Sequence, residues 1–149
     1  MKIYLGADYH GLARKQFILD YLASESYEVE DEGAYDYQEG DDYNDPAIRV
    51  AKNVREDYGS VGILICDSAH GMTIQANRFK GIRAANCDDE ESAVLAREHD
   101  DANVLCLSAR RIDDEKARAI IDAFLKTNFT GIERRVRRIN RLDEREDYD

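Results

Sequence analysis

A thiol, a hydroxyl and a glycine follow directly after VGILIC, the most apolar segment of this 149-residue sequence. Cys66 stands where that segment ends, and Ser68 and Gly71 belong to the turn that leads into a helical pattern. Backbone N–H groups and the dipole at a helix start favour negative charge, so they should lower the pKa of a thiol and stabilise an anionic intermediate. We therefore predict that Cys66 is catalytic. The alternative, a buried thiol that only packs, is our interpretation of Cys87 and Cys106.

Histidines in two other segments could act as acids or bases. His99 lies in AREHDDANVL, at the end of a predicted helix, where the helix dipole favours the protonated ring. General acid–base catalysis requires a group that titrates near neutral pH, so His99 and Cys66 form a reasonable pair. Asp8, Tyr9 and His10 follow the first apolar segment in GADYHG, but a single loop histidine is usually inert.

The arginines are unevenly distributed in an acidic chain. The formal net charge is −11, which argues against binding to nucleic acid, because that binding requires a broad basic face. Several arginines nevertheless fall together in RRVRRINR: Arg134, Arg135, Arg137, Arg138 and Arg141. Such a run is commonly a solvated helix face, and a local site for a small anion is the other interpretation.

Several function classes are excluded by motifs that the sequence lacks. G-x-G-x-x-G and G-K-[ST] are absent, so we expect neither a dinucleotide nor ATP as cofactor. The three cysteines form no C-x-x-C pair, so we expect no structural metal and no disulfide framework. There is neither an apolar run of about 18 residues nor a signal-peptide pattern. We therefore predict a cytoplasmic protein that does not enter a membrane and needs no cofactor.

Apolar runs of strand length alternate with helical patterns along the chain. We predict strands at residues 2–7, 27–34, 61–66, 81–87 and 103–109, and helices at 12–25, 46–57, 72–79, 88–100, 113–127 and 134–142. The first helix should bury the face that carries Ala13, Phe17 and Tyr21. The fifth should bury Ala117, Ile120, Ile121, Phe124 and Leu125.

This alternation predicts an α/β fold, with a doubly wound, Rossmann-like parallel sheet of five strands and helices on both faces. Ligands of such sheets bind beyond the carboxyl ends of the strands, so the loops that follow the strands are the ones to inspect. The sequence shows no linker or repeat, so residues 1–149 should form a single domain. Residues 143–149 should be a frayed acidic tail.

Several segments resemble a known family in their order and spacing. They are MKIYLGAD, the DDY of GDDYNDPA, ILIC followed by S-x-x-G-M-x-I-x-A-N, GIRA, AREHDDANVL and the late RRVRR. This pattern is similar to the ribose-5-phosphate isomerase B family, which includes the galactose-6-phosphate isomerase subunits. The resemblance implies a Rossmann-like aldose–ketose isomerase that works without a metal, as a homodimer or a tetramer of dimers.

The resemblance also implies roles for individual residues. Cys66 would be the base that moves a proton between C1 and C2 as ribose 5-phosphate and ribulose 5-phosphate interconvert through an enediolate. His99 would help to open the furanose ring, and Ser68 would face the enediolate together with backbone N–H groups. The implied binding residues for this phosphorylated sugar are Asp8, Tyr9, Tyr43, Asp67, Ala69, His70, Gly71, Asp100, Arg110, Arg134 and Arg138. The three arginines would hold the phosphate, and the partner subunit would supply the last two.

The sequence departs from the family pattern near this site. Asp67 and Ala69 stand where glycine is usual, Tyr9 replaces a histidine, and Asp100 replaces an asparagine. A carboxylate beside a developing enediolate is unfavourable, so Asp67 should face away or be neutralised. The departures leave open an isomerase for another aldose phosphate, and a non-catalytic sugar-phosphate-binding paralogue. A thiol redox protein built on Cys66 is a further alternative.

Overall fold

The computed structural model describes residues 1–144. The strands are β1 Lys2–Ala7, β2 Glu28–Asp31, β3 Val61–Cys66, β4 Ala84–Asn86 and β5 Val104–Ser108. The helices are α1 Leu12–Ser24, α2 Asn44–Glu56, α3 His70–Ala76, α4 Glu90–Asp100, α5 Asp114–Lys126 and α6 Glu133–Leu142. Most of the predicted tail, residues 145–149, lies outside the described residues. No helix in the described part of the chain is long and apolar enough to cross a membrane.

The strands form one parallel sheet in the order β2-β1-β3-β5-β4. This confirms the predicted α/β class and the five-stranded parallel sheet. The chain leaves β1 toward one edge of the sheet and leaves β3 toward the other, so the connections diverge between β1 and β3. In open parallel sheets a crevice forms at such a point, beyond the carboxyl ends of the two strands. Cys66 is the last residue of β3, at that crevice.

Both faces of the sheet are covered by helices, as predicted. Side chains of a strand alternate between the faces. Ile63 and Ile65 of β3 therefore pack with α1, α4 and α5, whereas Leu64 and Cys66 pack with α2 and α3. All six residues of β3 are buried, which explains why VGILIC is apolar without interruption. The sulfur of Cys66 thus belongs to the side of the sheet that carries α2 and α3.

The predicted buried faces are right for α5 and wrong for α1. The five α5 residues predicted to be buried are buried. On α1, Ala13 is exposed and Phe17 and Tyr21 are only partly buried, whereas the fully buried positions are Lys15, Ile18 and Leu22. Lys15 can be buried because its ammonium group donates to Asp31 Oδ1 at 2.8 Å and to the Ala34 carbonyl. The hydroxyl of Tyr21 donates to Asp122, which keeps this end of the ring near the surface.

Several elements have bounds that differ from the prediction, and β4, β2 and α3 differ most. β4 spans Ala84–Asn86 instead of residues 81–87, because the backbone N–H of Arg83 donates to the Asn103 side chain at 2.7 Å and not to a strand. β2 ends at Asp31, before Gly33 adopts a φ of +90° that a strand does not accommodate. α3 begins at His70, two residues before the predicted start.

Candidate active site

Cys66 lies where three loops meet at the carboxyl edge of the sheet. In the sheet register Cys66 is opposite Ser108 of β5, and Ile65 is opposite Ala7 of β1. The backbone N–H of Ala109 donates to the Cys66 carbonyl at 2.8 Å, and that of Asp8 donates to the Ile65 carbonyl at 3.2 Å. The loops after β1, β3 and β5 are therefore tied together around a thiol that is only 5% exposed.

The surroundings of Cys66 raise the pKa of its thiol, which contradicts the prediction of a lowered pKa. Burial is the largest cause, because it disfavours the thiolate. The backbone N–H groups of Met72 and Ala69 act in the predicted direction and lower the pKa, but they do not outweigh burial. The negative charges of Asp8 and Asp67 raise the pKa further. Burial and the two carboxylates therefore favour the protonated thiol over the thiolate.

The turn after Cys66 brings together most of the residues predicted from CDSAHG. Ser68 Oγ accepts a hydrogen bond from the His70 backbone N–H at 3.3 Å, while the His70 ring is exposed. Ala69 is fully buried and has a left-handed backbone, with φ +72°, which is unfavourable for any residue with a Cβ. Thr73 Oγ1 donates to the Ala69 carbonyl at 2.7 Å and helps to hold this conformation.

Tyr43 is brought to the same turn from the start of α2. Its ring lies directly against Gly71, where an added Cβ would overlap the ring. The side chain of Asn44 donates to Gln75 at 2.8 Å and forms a second link between α2 and α3. Tyr43 is 38% exposed, so its ring forms part of the surface above the turn. Tyr43 and Gly71 thus take up positions at the predicted site.

Asp8 is buried at the end of β1, where it caps the short 3₁₀ turn Tyr9–Gly11. Its Oδ1 accepts from the backbone N–H groups of His10 at 3.0 Å and Gly11 at 3.2 Å. Burial is the main reason why the pKa of Asp8 is raised. Gly11 must be glycine, because a Cβ there would lie 2.6 Å from the Ile65 carbonyl oxygen. This close approach holds Asp8 next to the end of β3.

Three polar residues that were not predicted belong to this edge of the sheet. His10, a loop histidine of the kind that is usually inert, has its Nδ1 3.3 Å from Asp8 Oδ2 and its ring centroid 4.0 Å from that of Tyr9. Asp41 accepts from the Tyr9 backbone N–H at 3.2 Å. Ser108 Oγ donates to the Asp67 carbonyl at 2.7 Å. All three had a signal in the sequence: His10 follows an apolar segment in GADYHG, Asp41 belongs to the DDY segment, and Ser108 ends an apolar strand.

Asp67 and Arg110 form an ion pair across the loops after β3 and β5. Arg110 Nη2 donates to Asp67 Oδ2 at 2.8 Å, and its Nε lies 3.2 and 3.3 Å from the two carboxylate oxygens. These hydrogen bonds are the largest cause that lowers the pKa of Asp67. The carboxylate is therefore neutralised by Arg110, which is one of the two arrangements that the sequence required.

The remaining predicted residues lie near the amino ends of the strands, whereas Cys66 lies at a carboxyl end. β5 begins at Val104, which is opposite Gly62, so its start is about 13 Å from the level of Cys66 at about 3.3 Å per residue. His99 and Asp100 end α4, only a few residues before that start. The predicted pair of His99 and Cys66 therefore does not form within one chain.

The arginines of α6 are also far from Cys66 in the chain. The backbone N–H of Thr130 donates to the Glu98 carbonyl at 3.3 Å, which places the start of α6 beside the end of α4. Arg134 and Arg138 are exposed, and within residues 1–144 neither forms an ion pair. Arg135 instead donates to Thr130 at 2.9 Å. The start of α6 therefore lies near the end of α4, which carries His99, and not near the thiol.

The described residues include no group of three or more His, Cys, Asp and Glu side chains that could hold a metal ion. The three cysteines are free and buried. Cys106 is completely buried in β5, which raises the pKa of its thiol to about 12. Cys66 is thus distinguished from the other two cysteines by its position at the crevice between β1 and β3, since Cys106 lies within β5 and Cys87 follows β4.

The family model and the individual relatives that this chain matches point to the same protein family. The chain matches the Ribose/Galactose Isomerase family over residues 3–142. It is 41% identical over 141 residues to a probable ribose-5-phosphate isomerase B of Mycoplasma genitalium, covering 94% of this chain and 92% of that protein. It is 38% identical over 146 residues to ribose-5-phosphate isomerase B of Mycobacterium tuberculosis, covering 98% of this chain and 90% of that protein.

Solved structures agree with the sequence relatives. The fold superimposes on a ribose 5-phosphate isomerase from Thermotoga maritima with a TM-score of 0.92 and 41% identity, covering 97% of this chain and 98% of that one. It superimposes equally well on ribose-5-phosphate isomerase B from Mycoplasma genitalium with bound ribulose-5-phosphate, with a TM-score of 0.91 and 41% identity. That match covers 95% of this chain and 93% of the other.

Proposed function

This chain belongs to the ribose/galactose isomerase family, and from that premise we propose that it interconverts ribose 5-phosphate and ribulose 5-phosphate. The observation that carries the proposal is the position of Cys66. Its thiol lies at the crevice of a parallel sheet, next to backbone N–H groups and before a turn that contains Ser68 and is covered by the ring of Tyr43. The Mycoplasma genitalium structure, which is 41% identical, contains ribulose-5-phosphate and supports the choice of substrate.

In the proposed reaction Cys66 is the base. Its thiolate takes the proton from C2 of the open-chain aldose, and the electron pair of that C–H bond forms the C1–C2 double bond of an enediolate. The negative charge then lies on the oxygen that was the C1 carbonyl. Return of the proton from sulfur to C1, with transfer of the O2 hydroxyl proton to O1, gives the ketose. Each turnover therefore consumes no oxidant, reductant or external proton.

The raised pKa of Cys66 fits a base that acts on a carbon acid. A thiolate that is hard to form is a strong base once it has formed, and proton removal next to a carbonyl needs such a base. The backbone N–H groups of Ala69 and Met72 stabilise the thiolate, and donors in this turn can also stabilise the enediolate oxygen. Removing one donor of this kind typically costs about 3 kcal/mol of transition-state stabilisation.

We propose that two copies of the chain complete each site. Cys66 and Asp8 lie at one edge of the sheet, whereas His99, Arg134 and Arg138 lie at the other. In a homodimer with twofold symmetry, the side of one copy that carries His99, Arg134 and Arg138 can face the side of the other copy that carries Cys66. His99 of the second copy would then open the furanose ring, and the two arginines of α6 would bind the phosphate. A tetramer would be built from two such dimers.

A second candidate function is a sugar-phosphate-binding protein without catalysis. It is favoured by one specific observation: the carboxylate of Asp67 directly follows Cys66, where the enediolate would develop its negative charge. In this case a phosphosugar would stabilise the fold, but replacement of Cys66 would change no activity.

A coupled assay of ribulose 5-phosphate formation tests the proposal. The purified chain should convert ribose 5-phosphate at the same rate with and without a chelator, and Cys66→Ala should abolish turnover. Cys106→Ala is the matched control, because that thiol is buried in the middle of a strand away from the crevice. A chain that binds pentose phosphates in a thermal-shift assay, yet turns over none of them, would establish the second candidate instead.

A further inference from the structure

Two consecutive arginines at the end of β5 bind aspartates from the two neighbouring strands. β5 lies between β3 and β4 in the sheet. Arg110 reaches toward β3 and binds Asp67 at 2.8 Å, and Arg111 reaches toward β4 and binds Asp88 at 3.1 Å. Only the first pair lies beside the thiol, since Asp67 directly follows Cys66. The two pairs are similar in exposure, although Arg110 contacts both oxygens of Asp67 and Arg111 contacts one oxygen of Asp88, so the second pair serves as a reference for the first.

The carboxylate of Asp67 occupies the part of Arg110 that would otherwise bind an anion. A guanidinium group binds carboxylates and phosphates through adjacent N–H groups. In Arg110 the Nε and Nη2 groups already donate to Asp67. Arg110 stands next to the Cys66 turn, and the charges of Asp8 and Asp67 that act on the thiol are negative. An anionic ligand therefore meets a cation that is already occupied.

The side chain of Asp67 is not needed to hold the loops together. The backbone of Asp67 already accepts from Ser108 Oγ at 2.7 Å and from the Arg110 N–H at 3.1 Å. The ion pair itself is largely in solvent, with the Asp67 side chain 35% and the Arg110 side chain 70% exposed. Exposed pairs contribute little to stability. A purely structural role for this carboxylate is therefore a poor explanation of its position.

We propose that Asp67 is a specificity-determining residue that competes with anionic ligands for Arg110. A ligand that offers only an anion must displace this carboxylate without compensation. A phosphosugar can offset the displacement through its hydroxyl groups and its reacting carbons, so the pair selects against free inorganic anions. As a statement about substrate choice this rests on the proposed isomerase function, whereas the competition for Arg110 does not.

The test is the affinity for inorganic phosphate, measured by titration calorimetry on the assembled protein. Asp67→Asn keeps the shape of the side chain and removes its charge. It should tighten phosphate binding by about three- to tenfold, the range expected when an exposed ion pair and a nearby like charge are removed. Asp88→Asn, which removes the equivalent charge beside Arg111, should leave phosphate binding unchanged.

A variant that lacks Arg110 shows whether the effect of Asp67→Asn on phosphate binding acts through this arginine. In an Arg110→Ala chain, Asp67→Asn should no longer tighten phosphate binding, because the contested cation is gone. The proposal is overturned if Asp67→Asn leaves or weakens phosphate affinity, if phosphate binds neither form, or if the gain persists without Arg110. Turnover plays no part in this measurement. A chain without isomerase activity would therefore defeat the proposed function and leave this result standing.

Discussion

The ring of Tyr43 rests on the α-carbon of Gly71, so the start of α2 covers the turn that follows Cys66. Gly71→Ala should push the ring away, because the new methyl group would occupy its place. Misplaced contacts at a reacting centre are costly, so we expect kcat/KM for ribose 5-phosphate to fall by about tenfold or more. In a Tyr43→Ala background the same change should alter kcat/KM by no more than about twofold. Equal losses in both backgrounds would show that the contact between the two residues is irrelevant.

The raised pKa of Cys66 predicts the pH dependence of the reaction. The thiolate is the working form of the base, so kcat/KM should rise with pH from neutral into the alkaline range. The negative charge of Asp67 raises this pKa, and its removal in Asp67→Asn should move the rising limb to lower pH. Asp88→Asn is the control and should keep the wild-type profile. A pH-independent rate between pH 6 and pH 9 would contradict a thiolate base.

Because Ala69 has a left-handed backbone, we predict that its replacement by glycine has little effect on the free energy of unfolding. Ala69→Gly loses a buried methyl group, which costs about 0.8 kcal/mol, but it relieves a conformation that costs about 1–2 kcal/mol. The free energy of unfolding should therefore change little. Ala51→Gly, at a fully buried position within α2, loses the methyl group and about 1 kcal/mol of helix propensity. Urea denaturation should show the second variant to be less stable by about 2 kcal/mol.

The buried thiol of Cys106 predicts a loss of stability at alkaline pH. Its pKa is raised to about 12 in the folded chain, so the folded state holds this proton more tightly than the unfolded state does. The contribution is constant below the unfolded pKa and is lost as pH rises toward 12. Denaturant midpoints should fall less steeply with pH in Cys106→Ala than in the wild type. Val104→Ala, a truncation on the same strand without an ionisable group, should keep the wild-type slope.

The separation of His99 and Cys66 predicts complementation between inactive chains. Cys66→Ala and His99→Asn should each lose most activity as separate homodimers. Unfolding and refolding an equal mixture should give mixed dimers that contain one intact site, and so about a quarter of the wild-type rate per chain. If the mixture stays inactive while light scattering shows dimers, His99 does not act across the interface.

The sequence predicted the parts of the fold that depend on continuous burial. β3 and the buried stripe of α5 were found because their apolar residues follow a single pattern. α1 is apolar on several sides, so periodicity alone could not identify the face that carries Ile18 and Leu22. The position of His99 could have been foreseen, because a helix that precedes a parallel strand ends at the amino end of that strand.

Two properties of the site could not be read from the sequence. The thiol pKa depends on a balance between burial and hydrogen bonds, and only the structure shows that burial is the larger effect at Cys66. The ion pair between Asp67 and Arg110 joins residues 43 positions apart, and its formation depends on the register of β3 and β5. The sequence motif identified these residues, but the pKa of the thiol and the formation of the ion pair depend on how the folded chain packs.

The loops that carry Asp8 and Cys66 are joined through the Ile65 carbonyl, with Gly11 packed against it. The position of the sulfur is therefore fixed by contacts between backbone atoms of these two loops. Asp41 contacts the loop after β1 through the Tyr9 backbone N–H, whereas the exposed rings of Tyr35 and Tyr37 take no part in the contacts at the Ile65 carbonyl. Substitutions of these exposed rings can therefore accumulate while the backbone contacts that position the sulfur stay intact.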